Sequence, residues 1–193
     1  MKPSHRWQAP CDPQRRALLA IALAAGTPLI WAQGPAVAPP PELATDLPGA
    51  RLRGSALMRF FGLHIYDIRL WSAAAAAADP ALPPLALELI YARKLVGEQI
   101  ANRSLDEMRR VGSPSEVQAS RWLAAMGQLF PDVRVGDRLT GVLRSDGVAR
   151  FHFNAQLRGE IADADFGRLF FGIWLSPRTS EPRLREQLLG ITR

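Results

Sequence analysis

The sequence LHIYDIRLW, residues 63–71, decides the fold class of this chain. Every second residue of this stretch belongs to a mostly apolar set, namely His64, Tyr66, Ile68 and Leu70. A two-residue period predicts a β-strand, and we expect the face with these even-numbered residues to lie against the core. The segment that precedes it, from residue 51, is also rich in strand-forming residues. Further strands are predicted on the same grounds at 85–91, 138–144, 148–154 and 156–161.

The period changes to that of an amphipathic helix in four other places. Helices are predicted at 96–111, then from Ser113 or Ser115 to the residue before Pro131, from Asp163 to the residue before Pro177, and at 182–189. The strands therefore fall into two groups that a pair of helices separates, and helices return at the end. This order predicts an α+β fold, in which a large antiparallel sheet is covered on one face by a layer of helices.

The first 32 residues have the pattern of a secretory signal peptide. Basic residues precede an apolar run at 17–25, and the small residue Ala32 offers a cleavage site. The run is shorter than the ~20 residues that a bilayer requires, although an uncleaved anchor is the alternative. Arg15 and Arg16 leave the general secretory and twin-arginine routes both open. We therefore expect a periplasmic or secreted protein with no stable membrane span after cleavage, a Pro/Ala-rich linker at 33–48 and one domain at 49–191.

Charge and cysteine content exclude several classes of function. Removal of the leader takes away four basic residues and one acidic residue, which lowers the net charge from +6 to +3. The remaining arginines are scattered among acidic residues, so nucleic-acid binding is not predicted. The only cysteine, Cys11, belongs to the leader, and two histidines remain after it. The mature chain therefore has no disulfide, and we predict neither a metal site nor a cofactor.

Several short motifs occur in the order that one known family shows. They are LRGSA at 52–56, IYDIRLW at 65–71, LELIY at 87–91, LFPDVRVGDRLT at 129–140, GEI at 159–161 and FGRLFFGIWL at 166–175. In this ordered set the chain resembles the chalcone isomerase-like family, in particular its bacterial exported branch. The resemblance covers nearly all of the chain from residue 47 to 190, and it implies an open-faced sandwich with a ligand cleft between the sheet and the helices.

The resemblance also indicates which catalytic groups this chain lacks. In the plant enzymes of this family, an arginine on an early strand stabilises a phenolate, and a tyrosine, an asparagine and a lysine organise water and the ketone. The arginine position falls near Met58, with Arg59 beside it, and the tyrosine and asparagine positions fall on Ile100 and Glu107. Since a one-residue shift turns a strand side chain to the other face, Arg59 is a poor replacement unless a bulge intervenes. We therefore predict no catalytic residue and no cyclising isomerase activity.

Four residues are the candidates for ligand binding. His64 and Tyr66 form either a polar pair that lines the cleft or an ordinary hydrogen-bonded pair in the core. Arg53 and Arg59 form either a clamp for a carboxylate or two solvated strand residues. The predicted function is binding of a small amphiphile, a fatty or aromatic acid. The alternatives are an isomerase or lyase that acts on an enone, with His64, Tyr66 and an arginine as donors, and a structural domain whose cleft is filled.

Overall fold

The computed structural model describes residues 37–73 and 84–191. In this part of the chain, six strands and five helices follow one another. They are α1 (Leu43–Asp46), β1 (Arg51–Phe60), β2 (Leu63–Ser72), β3 (Leu85–Tyr91), α2 (Gly97–Val111), α3 (Glu116–Leu129), β4 (Arg138–Leu143), β5 (Ala149–Phe153), β6 (Gln156–Ile161), α4 (Ala164–Leu175) and α5 (Pro182–Leu189). The signal peptide predicted at 1–32 lies outside the described residues.

The strands form one sheet in which spatial order equals sequence order, β1 to β6, and every neighbouring pair is antiparallel. The helix pair α2–α3 lies in sequence between β3 and β4, although these two strands are neighbours in the sheet. The α+β class predicted from the clustering of strands and helices is therefore confirmed. No helix in 37–73 or 84–191 has the length and apolar character needed to cross a membrane.

The helices α2 to α5 pack on one face of the sheet and bury the main core with it. Helix α4 is the centre of this layer, because every residue from Phe166 to Leu175 except Arg168 is buried. Its N-terminus is fixed by Asp163, whose carboxylate accepts hydrogen bonds from the amides of Asp165 and Phe166. Ile68 and Leu70 of β2 face the same core, as the alternation in 63–71 predicts.

The segment predicted as a linker, 33–48, is folded in the part that the structure describes. Leu43 and Leu47, which lie one helical turn apart, are buried against Trp71 on the face of the sheet opposite the main core. Glu42 Oε1 accepts a 2.6 Å hydrogen bond from Thr140, and the Asp46 carboxylate lies 2.6 Å from His152 Nε2. The prediction of a linker up to residue 48 was wrong for this part. Its proline-rich composition is typical of a linker, but Leu43 and Leu47 are buried, and the carboxylates of Glu42 and Asp46 have partners on the sheet.

Candidate ligand-binding cavity

A cavity of about 360 Å³ lies between the sheet and the helical layer. This is the low end of the range of volumes that small-molecule sites have in proteins. Most of its lining residues are apolar, and those that are also buried come from β3, β4, β5, α4 and the segment after α3. They include Leu87, Leu89, Leu139, Phe151, Phe170, Ile173 and Phe130. The interior of the cavity therefore suits an aliphatic or aromatic group rather than a charged one.

The mouth of the cavity is marked by the lining residues that solvent reaches. Phe60 at the end of β1, Gln99 and Arg103 on α2, and Ser180 before α5 are exposed, and Glu181 is half-buried. The guanidinium carbon of Arg103 lies 5.7 Å from the centre of the Phe60 ring, which is within cation–π range. Of the charged side chains of the lining, Arg103 and Glu181 thus lie where solvent reaches the cavity.

Helix α2 also contributes a buried carboxylate, Glu107, to the lining of the cavity. The Glu107 side chain is only 7% exposed, and its Oε1 lies 2.6 Å from Arg103 Nη2. Its Oε2 lies 3.3 Å from Arg110 Nε, but no described donor forms a hydrogen bond with it. A buried carboxylate is tolerated only when cations compensate it. Two guanidinium groups thus compensate this one carboxylate, and of the two only Arg103 belongs to the lining of the cavity.

Two phenols present neutral hydrogen-bond donors inside the cavity. Trp174 Nε1 donates a 2.9 Å hydrogen bond to the Tyr66 hydroxyl oxygen, which leaves the phenolic proton available. The Tyr91 ring lies edge-on to Tyr66, with 5.9 Å between the ring centres. Burial raises the pKa of Tyr66 to about 12, because its effect is larger than that of the Trp174 hydrogen bond, which lowers the pKa. Burial also raises the pKa of Tyr91. Both phenols are therefore protonated at neutral pH and can donate to a carboxylate or a carbonyl.

Of the four predicted ligand-binding residues, the structure brings only Tyr66 to the cavity. Met58 pairs with Tyr66 and Arg59 pairs with His64, so that β2 has one extra residue, Ile65, at this point. This bulge removes His64 from the inward face, and its Nε2 instead lies 3.1 Å from Asp67 Oδ1. Arg59 is exposed, and its Nη1 donates a 3.4 Å hydrogen bond to the Gly62 carbonyl at the hairpin turn. Strand β1 therefore does not supply an arginine to the cavity at this position.

Arg53 is displaced by a second irregularity in the same strand pair. Leu52 pairs with Trp71 and Gly54 pairs with Leu70, so Arg53 is the extra residue on β1. Its side chain is exposed, and it is not among the residues that line the cavity. A clamp that joins Arg53 and Arg59 over a ligand in this cavity is therefore not present in the fold.

The positions transferred from the family resemblance all lie at the cavity. Met58, Ile100 and Glu107 belong to its lining, as expected if these positions of β1 and α2 correspond to those of the family. Arg103 was not predicted as a site residue, because exposed helical arginines rarely mark a site. The signal was the spacing, since Ile100, Arg103 and Glu107 follow one another at three and four residues and so share a helix face.

The comparisons with known proteins agree with this architecture. The model of the chalcone isomerase-like family matches residues 42–190. An uncharacterized protein of Haemophilus influenzae is 29% identical over 140 residues, which cover 72% of this chain and 68% of that protein. The crystal structure of a fatty-acid binding protein of Arabidopsis thaliana superposes with a TM-score of 0.56 at 12% identity, over 73% of this chain and 87% of that one, and thus shows the same fold. The chain belongs to the chalcone isomerase-like family.

Proposed function

We propose that this protein binds a small amphiphilic acid, such as a fatty acid, without converting it. The observation that carries the proposal is the polarity of the cavity, whose lining is mostly apolar and whose mouth has the cation of Arg103. An alkyl or aryl group gains about 0.8 kcal/mol for each methylene that it buries in such an interior. The solved structure that this fold matches is named as a fatty-acid binding protein, which supports the same class of ligand.

The carboxylate of the ligand would lie at Arg103. A guanidinium has five N–H donors, and among the described residues Arg103 uses its Nη2 for Glu107. The remaining donors are free to bind a second carboxylate at the mouth. The protonated hydroxyl groups of Tyr66 and Tyr91 offer neutral donors farther inside. In this arrangement the charged end stays close to water and the tail extends among the buried apolar residues.

Absence of turnover is the second part of the proposal. Catalysis by this family requires fixed donors at the place where negative charge develops. At the position of the strand arginine, this cavity has the thioether of Met58, and the guanidinium of Arg59 forms its hydrogen bond outside, at Gly62. A thioether cannot stabilise an enolate or a phenolate.

An isomerase or lyase that acts on an enone is the second candidate function. The observation in its favour is the pair of protonated phenols in the cavity, since a phenol can donate a proton or a hydrogen bond to a ketone. Loss of chalcone absorbance in the presence of purified protein measures this activity directly. Turnover that Tyr66→Phe abolishes would establish the enzyme and would refute the proposal of a binder. A domain with a filled cleft has no support from the structure, because the cleft contains the cavity.

Titration with a series of saturated fatty acids tests the binding proposal. Affinity should rise about fourfold with each added methylene until the tail fills the cavity, and should then stay level. Native mass spectrometry of protein purified from its own cells should also show a bound acid. The proposal fails if the cavity is empty after purification and no fatty or aromatic acid raises the melting temperature.

Export is proposed on the sequence pattern of residues 1–32 alone. We expect the mature protein to begin near Gln33 and to be recovered from the periplasm or the medium. Fractionation and the intact mass of the recovered protein measure both points. Replacement of Arg15 and Arg16 by lysines separates the two routes, because only the twin-arginine route requires both arginines. A protein that keeps its leader and stays in the cytoplasm would contradict this proposal.

A further inference from the structure

The turn between β1 and β2 exposes large apolar side chains. Phe61 is 89% exposed, and its neighbours Phe60 and Leu63 are about half exposed. Phe61 and Gly62 have φ values of 47° and 77°, a turn geometry in which Asn-Gly or Asp-Gly is the usual pair. A phenylalanine at this position has both an unfavourable backbone conformation and an unfavourable exposure to water. The exposed Phe61 at this turn therefore indicates that the end of the β1–β2 hairpin contacts something other than water.

Three cations that form no salt bridge among the described residues lie on this hairpin or next to β2. Arg59 lies on the hairpin, and the 2.9 Å hydrogen bond from the Ala92 amide to the Ile65 carbonyl brings Arg93 and Lys94 beside its base. In the part of the chain that the structure describes, none of these three forms a salt bridge with a carboxylate. The hairpin has a single acidic residue, Asp67, which contacts His64. We call the three apolar residues and these three cations, Phe60, Phe61, Leu63, Arg59, Arg93 and Lys94, the tip patch.

We propose that the tip patch docks on the surface of an anionic lipid bilayer. Exposed phenylalanine and leucine beside clustered arginine and lysine are the combination that enters the headgroup region of such a membrane. A second copy of this chain is a poorer partner. A two-fold pair would bring the same unpaired cations against one another, because a symmetric interface places identical patches face to face. An anionic bilayer has negatively charged headgroups for the cations and an apolar acyl region for Phe61 and Leu63.

The tip patch adjoins the mouth of the cavity. Phe60 belongs to both, and the Arg103 guanidinium at the mouth lies over the Phe60 ring. A docked protein would therefore hold the mouth close to the membrane, where an amphiphile is already concentrated. This inference goes beyond the proposed function, since attachment to the membrane does not require an occupied cavity.

Flotation with unilamellar vesicles tests the inference. Vesicles of phosphatidylcholine with roughly a third phosphatidylglycerol should bind the protein, and vesicles of phosphatidylcholine alone should bind it much more weakly. Phe61→Asp should lower the partition coefficient at least about tenfold, because it removes the most exposed apolar side chain and adds a repelled charge. The double variant Arg93→Gln/Lys94→Gln should lower it about 25-fold, at about fivefold for each cation. The matched control is Val117→Asp on α3, which is 78% exposed and lies outside the tip patch.

Binding of dodecanoic acid without vesicles keeps the two proposals separate. Phe61 does not line the cavity, so Phe61→Asp should keep the affinity for the soluble acid. The membrane proposal is overturned if the wild type does not float with the anionic vesicles, or if Phe61→Asp and Val117→Asp float equally well. It is also overturned if Phe61→Asp converts a dimer into a monomer in size-exclusion chromatography, since the patch would then be the interface between two copies. Failure of dodecanoic acid to bind any form refutes the proposed function alone.

Discussion

Replacement of Arg103 by methionine should weaken the binding of fatty acids but not of fatty alcohols. Arg103 is the lining residue that has an exposed cationic group, and methionine retains most of its apolar stem. A hydrogen bond with a charged partner contributes about 1.5–3 kcal/mol. Because the Arg103 side chain is 58% exposed, water screens the pair, and the lower end of this range applies. A loss of about 1.5 kcal/mol corresponds to roughly tenfold weaker binding.

The assay compares dodecanoic acid with dodecanol by isothermal titration calorimetry. Both ligands place the same tail in the cavity, so the ratio of their affinities isolates the charged group. The matched control is Arg109→Met on the same helix, because Arg109 pairs with Glu116 and does not line the cavity. The double variant Arg103→Met/Glu107→Gln removes both members of the 2.6 Å pair, so that no buried carboxylate loses its partner. An equal loss for acid and alcohol in both Arg103 variants would refute the placement of the carboxylate at the mouth.

Three further changes test other parts of the site and the fold. Glu181→Gln removes a carboxylate that lines the cavity, so calorimetry should show dodecanoic acid binding about threefold tighter and dodecanol unchanged. Leu89→Trp fills the interior, so the protein should keep its melting temperature within a few degrees and should lose binding of long-chain acids. Asp163→Ala should lower the free energy of unfolding in urea by about 1–2 kcal/mol, because Asp163 caps α4 and also accepts a hydrogen bond from Trp122. Burial raises the pKa of Asp163, but the hydrogen bonds from Trp122 and the backbone lower it further, so the net pKa lies below 3.8. The loss of stability in Asp163→Ala should therefore be complete above pH 3.8 and should disappear as the pH falls through the lowered pKa of Asp163.

The order of strands and helices could be predicted from periodicity because each element follows a simple sequence pattern. The alternation at 85–91 predicts a strand and the helical spacing at 164–175 predicts a helix, and the structure has both elements, although each is buried on more than one face. The segment 37–48 could not be predicted in this way. Its short helix is held by two leucines and by carboxylates whose partners, Thr140 and His152, are about a hundred residues away. Local sequence gives no indication of contacts at such a separation.

The candidate site was predictable only where the strand geometry is regular. Tyr66 lies on the face that alternation assigns to it, but His64, two residues earlier, is turned away by the bulge at Ile65. A bulge inserts one residue and so inverts the assignment of faces between its two sides, here that of His64 relative to Tyr66, and neither neighbour of Ile65 is a glycine that would mark it. Tyr91 and Trp174 belonged to predicted elements, but their meeting with Tyr66 depends on the packing of β3 and α4.

The position of the cation in this cavity favours the proposed binding role over a catalytic one. In the arrangement that the family resemblance implies, a strand guanidinium points at the reacting atoms, whereas here the same place has the side chain of Met58. The cation instead comes from α2 at the mouth, where Arg103 is open to water and shares its charge with Glu107. Electrostatic stabilisation of a transition state requires a dry, fixed donor, since water and a competing carboxylate both weaken it. Binding of a terminal carboxylate does not require a water-free site, so an exposed guanidinium such as that of Arg103 is compatible with the binding that we propose.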